Sequence, residues 1–179
     1  MQYEKRRAQI LETAFETFLS YGFRRTSLEQ IAEQVGVSRP ALYRYFDSKE
    51  NLFRALVDRF LGEALARVEV AASRSEGKAV DERLLSVLQA WYEESAQIVL
   101  SSPHGIELME ADRALCGEVV EQRTESLVAI LTRILRDSRQ PQAKRTARML
   151  FAASKGFLTH ARSEAEFRTY LRDLTRLVR

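Results

Sequence analysis

Apolar residues recur along this chain at the spacing of α-helices. Leu11, Ala14, Phe15 and Phe18 fall at i, i+3, i+4 and i+7 and define a first helix with one apolar face. Gly22 supplies the left-handed conformation that ends it, and Phe23 folds back as the apolar partner of that cap. A second stripe, Leu28, Ile31, Ala32 and Val35, opens with Thr26-Ser27-Leu28-Glu29, which reads as a capping box with Thr26 and Glu29 as its reciprocal partners. Gly36 stops this helix after little more than two turns. Val37 is expected to plug the core at the turn, Ser38 to cap a third helix, and Pro40 to occupy a first turn where a missing N–H does little harm. In the third helix Leu42 and Phe46 lie one turn apart and point inward. At about 100° per residue, Pro40 and Arg44 then point away from the core, with Ala41, Tyr43 and Tyr45 flanking that outer face.

The period continues to the C-terminus. Asp47 or Ser48 caps a fourth helix carrying Leu52, Phe53, Leu56, Val57, Phe60, Leu61, Ala64, Leu65 and Val68, and Ser73–Lys78 reads as a polar linker. A fifth helix holds Leu84, Val87, Leu88, Trp91, Tyr92, Ser95 and Ile98. Ser102 and Pro103 are expected to cap and start a short sixth, and Val119, Val120, Leu127, Val128, Leu131, Ile134 and Leu135 mark a long seventh. Arg139-Gln140-Pro141 breaks the pattern. An eighth helix runs from Gln142 to about Ala161, and a ninth is capped by Ser163-Glu164-Ala165-Glu166, with Phe167, Tyr170, Leu171, Leu174 and Leu177 on its apolar side.

Composition supports an all-α fold of about nine helices. Gly (7) and Pro (3) are scarce among 179 residues, and apolar residues make up 45%. No run approaches the length of a membrane span, the first ten residues lack an apolar signal core, and the single Cys116 cannot form an internal disulfide. The expectation is a cytoplasmic protein with no membrane association. Charge is unevenly placed: residues 50–132 are net negative (15 Asp and Glu against 8 Lys and Arg) and residues 133–179 net positive (12 Lys and Arg against 4 Asp and Glu). The basic residues of the C-terminal segment are spread at helical spacing, so solvated faces and charge matching explain them better than a nucleic-acid patch.

Two short helices joined by a glycine turn follow the pattern of a helix-turn-helix. The outer face of the third helix carries a cation and two phenols, which suits a major groove, where they serve as phosphate donors and apolar contacts to thymine methyls. An ordinary helical hairpin with aromatic rim residues has the same spacing. The stretches Thr26–Ala32, Gly36–Phe46 and Ser48–Phe53 together resemble the signature of the TetR family, over about Arg6 to Phe60. The resemblance implies an N-terminal three-helix DNA-binding domain (1–48), a connecting helix (49–72), and a helical effector-binding and dimerisation domain (73–179). It places Thr26 and Ser27 at the DNA backbone, Ser38, Arg39, Pro40, Ala41, Tyr43 and Arg44 toward the groove, and Tyr45 and Lys49 on phosphates. Many relatives have His where this chain has Tyr45. Arg44 is the expected direct reader, since a guanidinium grips guanine O6 and N7 together.

The partners so implied are a double-stranded DNA operator, a second copy of the chain held through the last two helices, and a small-molecule effector of unknown identity. Trp91, Tyr92, Ile98, His104, Leu108, Met109, Cys116, Val120, Arg123, Phe151 and Phe157 are the candidates to line an effector pocket, although each alone reads equally as core. Ala143, Ala147, Ala152, Ala153, Gly156 and Ala161 would let helices approach closely at a dimer interface. Nothing points to catalysis. His104 and His160 stand in no metal-ligand pattern, there is no Gly-rich phosphate loop, and Cys116 has no evident base. No cofactor is expected. The competing reading is a helical ligand-binding or adaptor protein whose helix-turn-helix no longer reads DNA.

Overall fold

The computed structural model describes residues 2–178. Its elements among these residues are nine helices and no strands. They are α1 (Gln2–Tyr21), α2 (Leu28–Val35), α3 (Arg39–Tyr43), α4 (Lys49–Arg74), α5 (Val80–Ser101), α6 (Gly105–Leu115), α7 (Gly117–Asp137), α8 (Ala143–His160) and α9 (Glu164–Arg176). None of them is long and apolar enough to cross a membrane.

The chain divides into two compact units, 1–60 with 102–120, and 61–101 with 121–179. In the first, the stripes of α1 and α2 close on one core. Ile10, Leu11, Ala14 and Phe18 meet Leu28, Ile31, Ala32 and Val35, with Leu42, Phe46, Leu52, Phe53 and Leu56 completing it. Phe18, Phe23 and Phe53 form an aromatic cluster with ring centroids 4.8–5.6 Å apart. Helix α6 packs on α1 in this unit, a long-range contact that no local pattern announces. In the second unit, α5 packs on α8 and α9 around Leu84, Leu88, Trp91, Leu127, Leu131, Leu150 and Phe167. Tyr92 lies in that core, its hydroxyl 3.1 Å from Ser154 Oγ, and burial pushes the phenol pKa up.

Several boundaries differ from the sequence reading for identifiable reasons. The cap of α2 is Ser27, not Thr26: Ser27 Oγ accepts from the N–H of Gln30, while the buried Thr26 hydroxyl donates back to the Gly22 carbonyl at 2.7 Å. The cap thus sits one residue later than the box was placed. Ser48, rather than Asp47, caps α4, accepting from Asn51 N–H at 3.0 Å. Helix α6 starts at Gly105 because Ser102 Oγ donates to the Leu19 carbonyl and accepts from His104 N–H in a turn ahead of the helix. The polar stretch 73–78 is no open linker. It holds the end of α4 and a turn with Gly77 at φ 81, and Ser75 is buried with its hydroxyl on the Ala72 carbonyl. Leu177 stands outside the core, 83% exposed beyond the last turn of α9.

Candidate nucleic-acid interface

The surface around α3 is built by local capping. Gly36, at φ 73, turns the chain out of α2, and its N–H reaches the Glu33 carbonyl. Ser38 then caps α3, accepting from Ala41 N–H, with Pro40 in the first turn. Leu42 is fully buried and Phe46 is 4% exposed, and these two fix the rotation of the helix. Ser38, Arg39, Pro40, Tyr43 and Arg44 are consequently exposed, and Ala41 and Tyr45 half-buried. The outward face therefore carries two cations and a phenol over a rigid base. Such a surface fits duplex DNA: guanidinium groups for guanine edges or phosphates, and phenols for phosphates and thymine methyls.

Three side chains of this surface, Arg39, Tyr43 and Tyr45, are already engaged. Arg39 Nη2 lies 2.8 Å from Glu29 Oε1 and donates to Tyr43 Oη at 3.4 Å, and its guanidinium carbon sits 5.5 Å from the centre of the Tyr43 ring. The Tyr43 contact and then the Glu29 charge raise the Arg39 pKa. Glu29 is held below the usual carboxylate range, first by its own backbone N–H and then by Ser27 and Arg39. Tyr45 stacks on Tyr3, centroids 4.7 Å apart and planes at 21°, and Arg7 lies 5.3 Å from the Phe46 ring. The basic residues Lys5, Arg6 and Arg7 belong to the first turns of α1.

Two expected backbone contacts take a different place. Thr26 is buried, with its hydroxyl bonded to the Gly22 carbonyl. Lys49 turns inward. Its Nζ donates to the carbonyls of Phe23 and Thr26, both at 2.8 Å, and of Arg24 at 3.5 Å, while lying 4.4 Å from the Phe23 ring centre. The ammonium pins the α1–α2 loop to the start of α4. Ser27 is exposed but holds Gln30 N–H. Sequence reasoning missed Glu29 as a partner of Arg39 and Tyr3 as a partner of Tyr45. Both pairings join segments distant in sequence, and helical periodicity carries no signal for them.

The eleven residues expected to line an effector pocket fall in both units. His104, Leu108, Met109, Cys116 and Val120 lie in the first, the other six in the second. His104 Nδ1 is 3.3 Å from Glu107 Oε2, and Glu107 Oε1 accepts from Arg24 N–H, so this pair ties α6 to the loop after α1. Trp91 and Tyr92 are core, and Phe157 packs on Tyr170 at 5.3 Å. Of the eleven, Tyr92 borders a cleft of about 270 Å³ between α5 and α9, together with Gln89, Glu93, Glu164 and Phe167. A second cleft, of about 560 Å³, lies between α4 and α5 beside Arg67, Val70, Arg74 and Lys78, none of them on the expected list.

Helices α1 to α3, with Leu42 and Phe46 buried and Tyr43 and Arg44 exposed, have the arrangement of a helix-turn-helix. Residues 10–56 match the model of the family described as bacterial regulatory proteins, tetR family. Over that stretch the chain is similar to the TetR family. It is similar to the HTH-type transcriptional activator FasR of Mycolicibacterium smegmatis, 30% identical over 50% of this chain and 40% of that protein. It is also similar to the HTH-type transcriptional repressor ComR of Escherichia coli K12, 36% identical over 47% of this chain and 40% of that one. The alignments thus span about two fifths of these relatives' length. The crystal structure of a transcriptional regulator of the TetR/AcrR family from Thermobifida fusca shares the fold, with TM-score 0.72, 23% identity, and coverage of 97% of this chain and 96% of that one. These similar proteins are named as regulators, not as enzymes.

Proposed function

We propose that this chain is a cytoplasmic transcriptional regulator that reads duplex DNA with α3, binds a near-palindromic operator as a homodimer, represses by occlusion, and is released by a small hydrophobic effector. The observation that carries the DNA-binding part is the outward stand of Tyr43 and Arg44 over the buried Leu42 and Phe46. Arg44 is the base reader, and Ser38, Arg39, Tyr43 and Tyr45 supply the remaining contacts. Helices α8 and α9 form the dimer contact. Ala143, Ala147, Leu150, Ser154 and Leu158 face inward on α8, and a second stripe at helical spacing (Arg145, Met149, Ala152, Gly156) is left exposed. Met149 is 62% exposed there, and the small residues beside it allow a second helix to approach. Repression is supported by ComR, whose name makes it a repressor, while FasR is named an activator. The effector would be received by the apolar helices of the second unit, next to Tyr92.

The test is binding to a duplex selected by the protein from a random-sequence library, compared with random duplex across a salt series. The unmodified protein is expected to prefer the selected site, with affinity that falls steeply as salt rises. Arg44→Ala should cost about 1–3 kcal/mol on the selected site and little on random DNA. Equal losses on both duplexes would remove Arg44 from base reading.

A further inference from the structure

We propose that Glu29 is a specificity-determining residue of the DNA-binding surface, holding Arg39 against Tyr43 so that this guanidinium is withheld from indiscriminate phosphate contact. The proposal rests on the DNA-binding reading above. Three contacts fix the Arg39 side chain: the ion pair to Glu29 Oε1 at 2.8 Å, the bond to Tyr43 Oη at 3.4 Å, and the guanidinium 5.5 Å from the Tyr43 ring centre. They join the first turn of α2 to both ends of α3 across the helix-turn-helix. The pair is open to water, with side chains 60% and 48% exposed, so its contribution to folding is small. Its position, in the middle of the face that would meet a duplex, gives it another consequence.

Nonspecific attachment to DNA draws on counterion release as Lys and Arg meet phosphates. A guanidinium that already faces a carboxylate gains little by exchanging it for a phosphate, and the exchange leaves Glu29 repelled by the backbone that displaced it. Recognition of a base edge does not require the exchange. Arginine has five N–H donors in a planar fork, and those not used by Glu29 and Tyr43 stay available in a held orientation. Glu29 therefore penalises random DNA more than a cognate site.

Glu29→Gln keeps the shape of the side chain and removes its charge at an exposed position. Affinity for a random 30-base-pair duplex is expected to rise about fivefold, the size of one contact between the released guanidinium and a phosphate at a few ångströms in water. The salt slope on that duplex should steepen by about 0.9, one additional phosphate contact. Affinity for the selected duplex should rise less, so the ratio of the two falls. In an Arg39→Ala background the same change should yield a smaller gain on random DNA and no steeper salt slope, because no withheld guanidinium is left to release. An equal gain and an equal rise in salt slope without Arg39 would reduce Glu29 to a diffuse negative charge and overturn the proposal, as would equal gains on both duplexes or no gain on either. An unmodified protein that binds neither duplex is a distinct result and overturns the DNA-binding reading along with this one.

Discussion

Lys49 sets three carbonyls of one loop around a single ammonium, and that arrangement decides what its removal does. Hydrogen bonds to a charged group contribute about 1.5–3 kcal/mol each in isolation, and bonds sharing one donor do not add. Lys49→Met is therefore expected to lower the unfolding free energy by about 2 kcal/mol, read by urea denaturation. It should also weaken selected and random duplexes alike, because the loop it pins precedes α2. Unchanged stability with lost DNA affinity would instead return the ammonium to a phosphate. The sequence reading put Lys49 at the start of the fourth helix but missed its direction, since three backbone acceptors leave no mark in residue identity. Leu42, Phe46 and Arg44 were legible because a helical period converts position into facing. The choice between Thr26 and Ser27 as cap was not. Both are good caps, and a hydroxyl bond back to Gly22 decided it.

At the scale of elements, the two glycines at positive φ that end α1 and α2 form a matched pair. Gly22 has φ 80 and Gly36 φ 73. A side chain at either carries the strain of the left-handed region, on the order of 1 kcal/mol. Their surroundings differ. A Cβ at Gly36 would meet nothing within 4 Å, whereas one at Gly22 would collide with the Glu107 carboxylate and press on His104 Nδ1 at 3.0 Å. Gly22→Ala should thus destabilise the protein more than Gly36→Ala, with the larger part of the excess, due to the carboxylate, lost in a Glu107→Ala background. Urea denaturation of the four variants checks this, and equal costs would show that the α6 contact yields freely. That α1 and α2 end, and α3 starts, where they do was readable from glycine and serine placement, whereas α3 stops at Tyr43, short of the Phe46 the sequence reading included. That α6 returns to α1 was not, because Glu107 and Arg24 are 83 positions apart and meet through polar groups rather than an apolar stripe. The same separation scattered the expected pocket residues over two units.

For the molecule as a whole, acid is the informative variable. Glu107 and Glu166 both accept from backbone N–H groups, of Arg24 and Arg162, and these bonds hold both carboxyls below the usual range. A pKa depressed by folding contributes stability that is present above the unfolded value, about 4.3, and lost as pH falls through the folded value. Melting temperature should therefore hold level from pH 7 to about 5 and decline below about pH 4.3. A Glu107→Gln, Glu166→Gln double variant should start lower and decline less steeply. Parallel curves would place the acid sensitivity elsewhere. The brevity of α3 also has a consequence for the genome this protein would search. Five residues extend about 7.5 Å, little more than two base-pair steps at 3.4 Å. So short a word recurs endlessly among roughly a million or more competing positions. Letters alone cannot make an address of that length unique. A second reader at a set interval would, and the interval between words would then carry as much of the message as the words do.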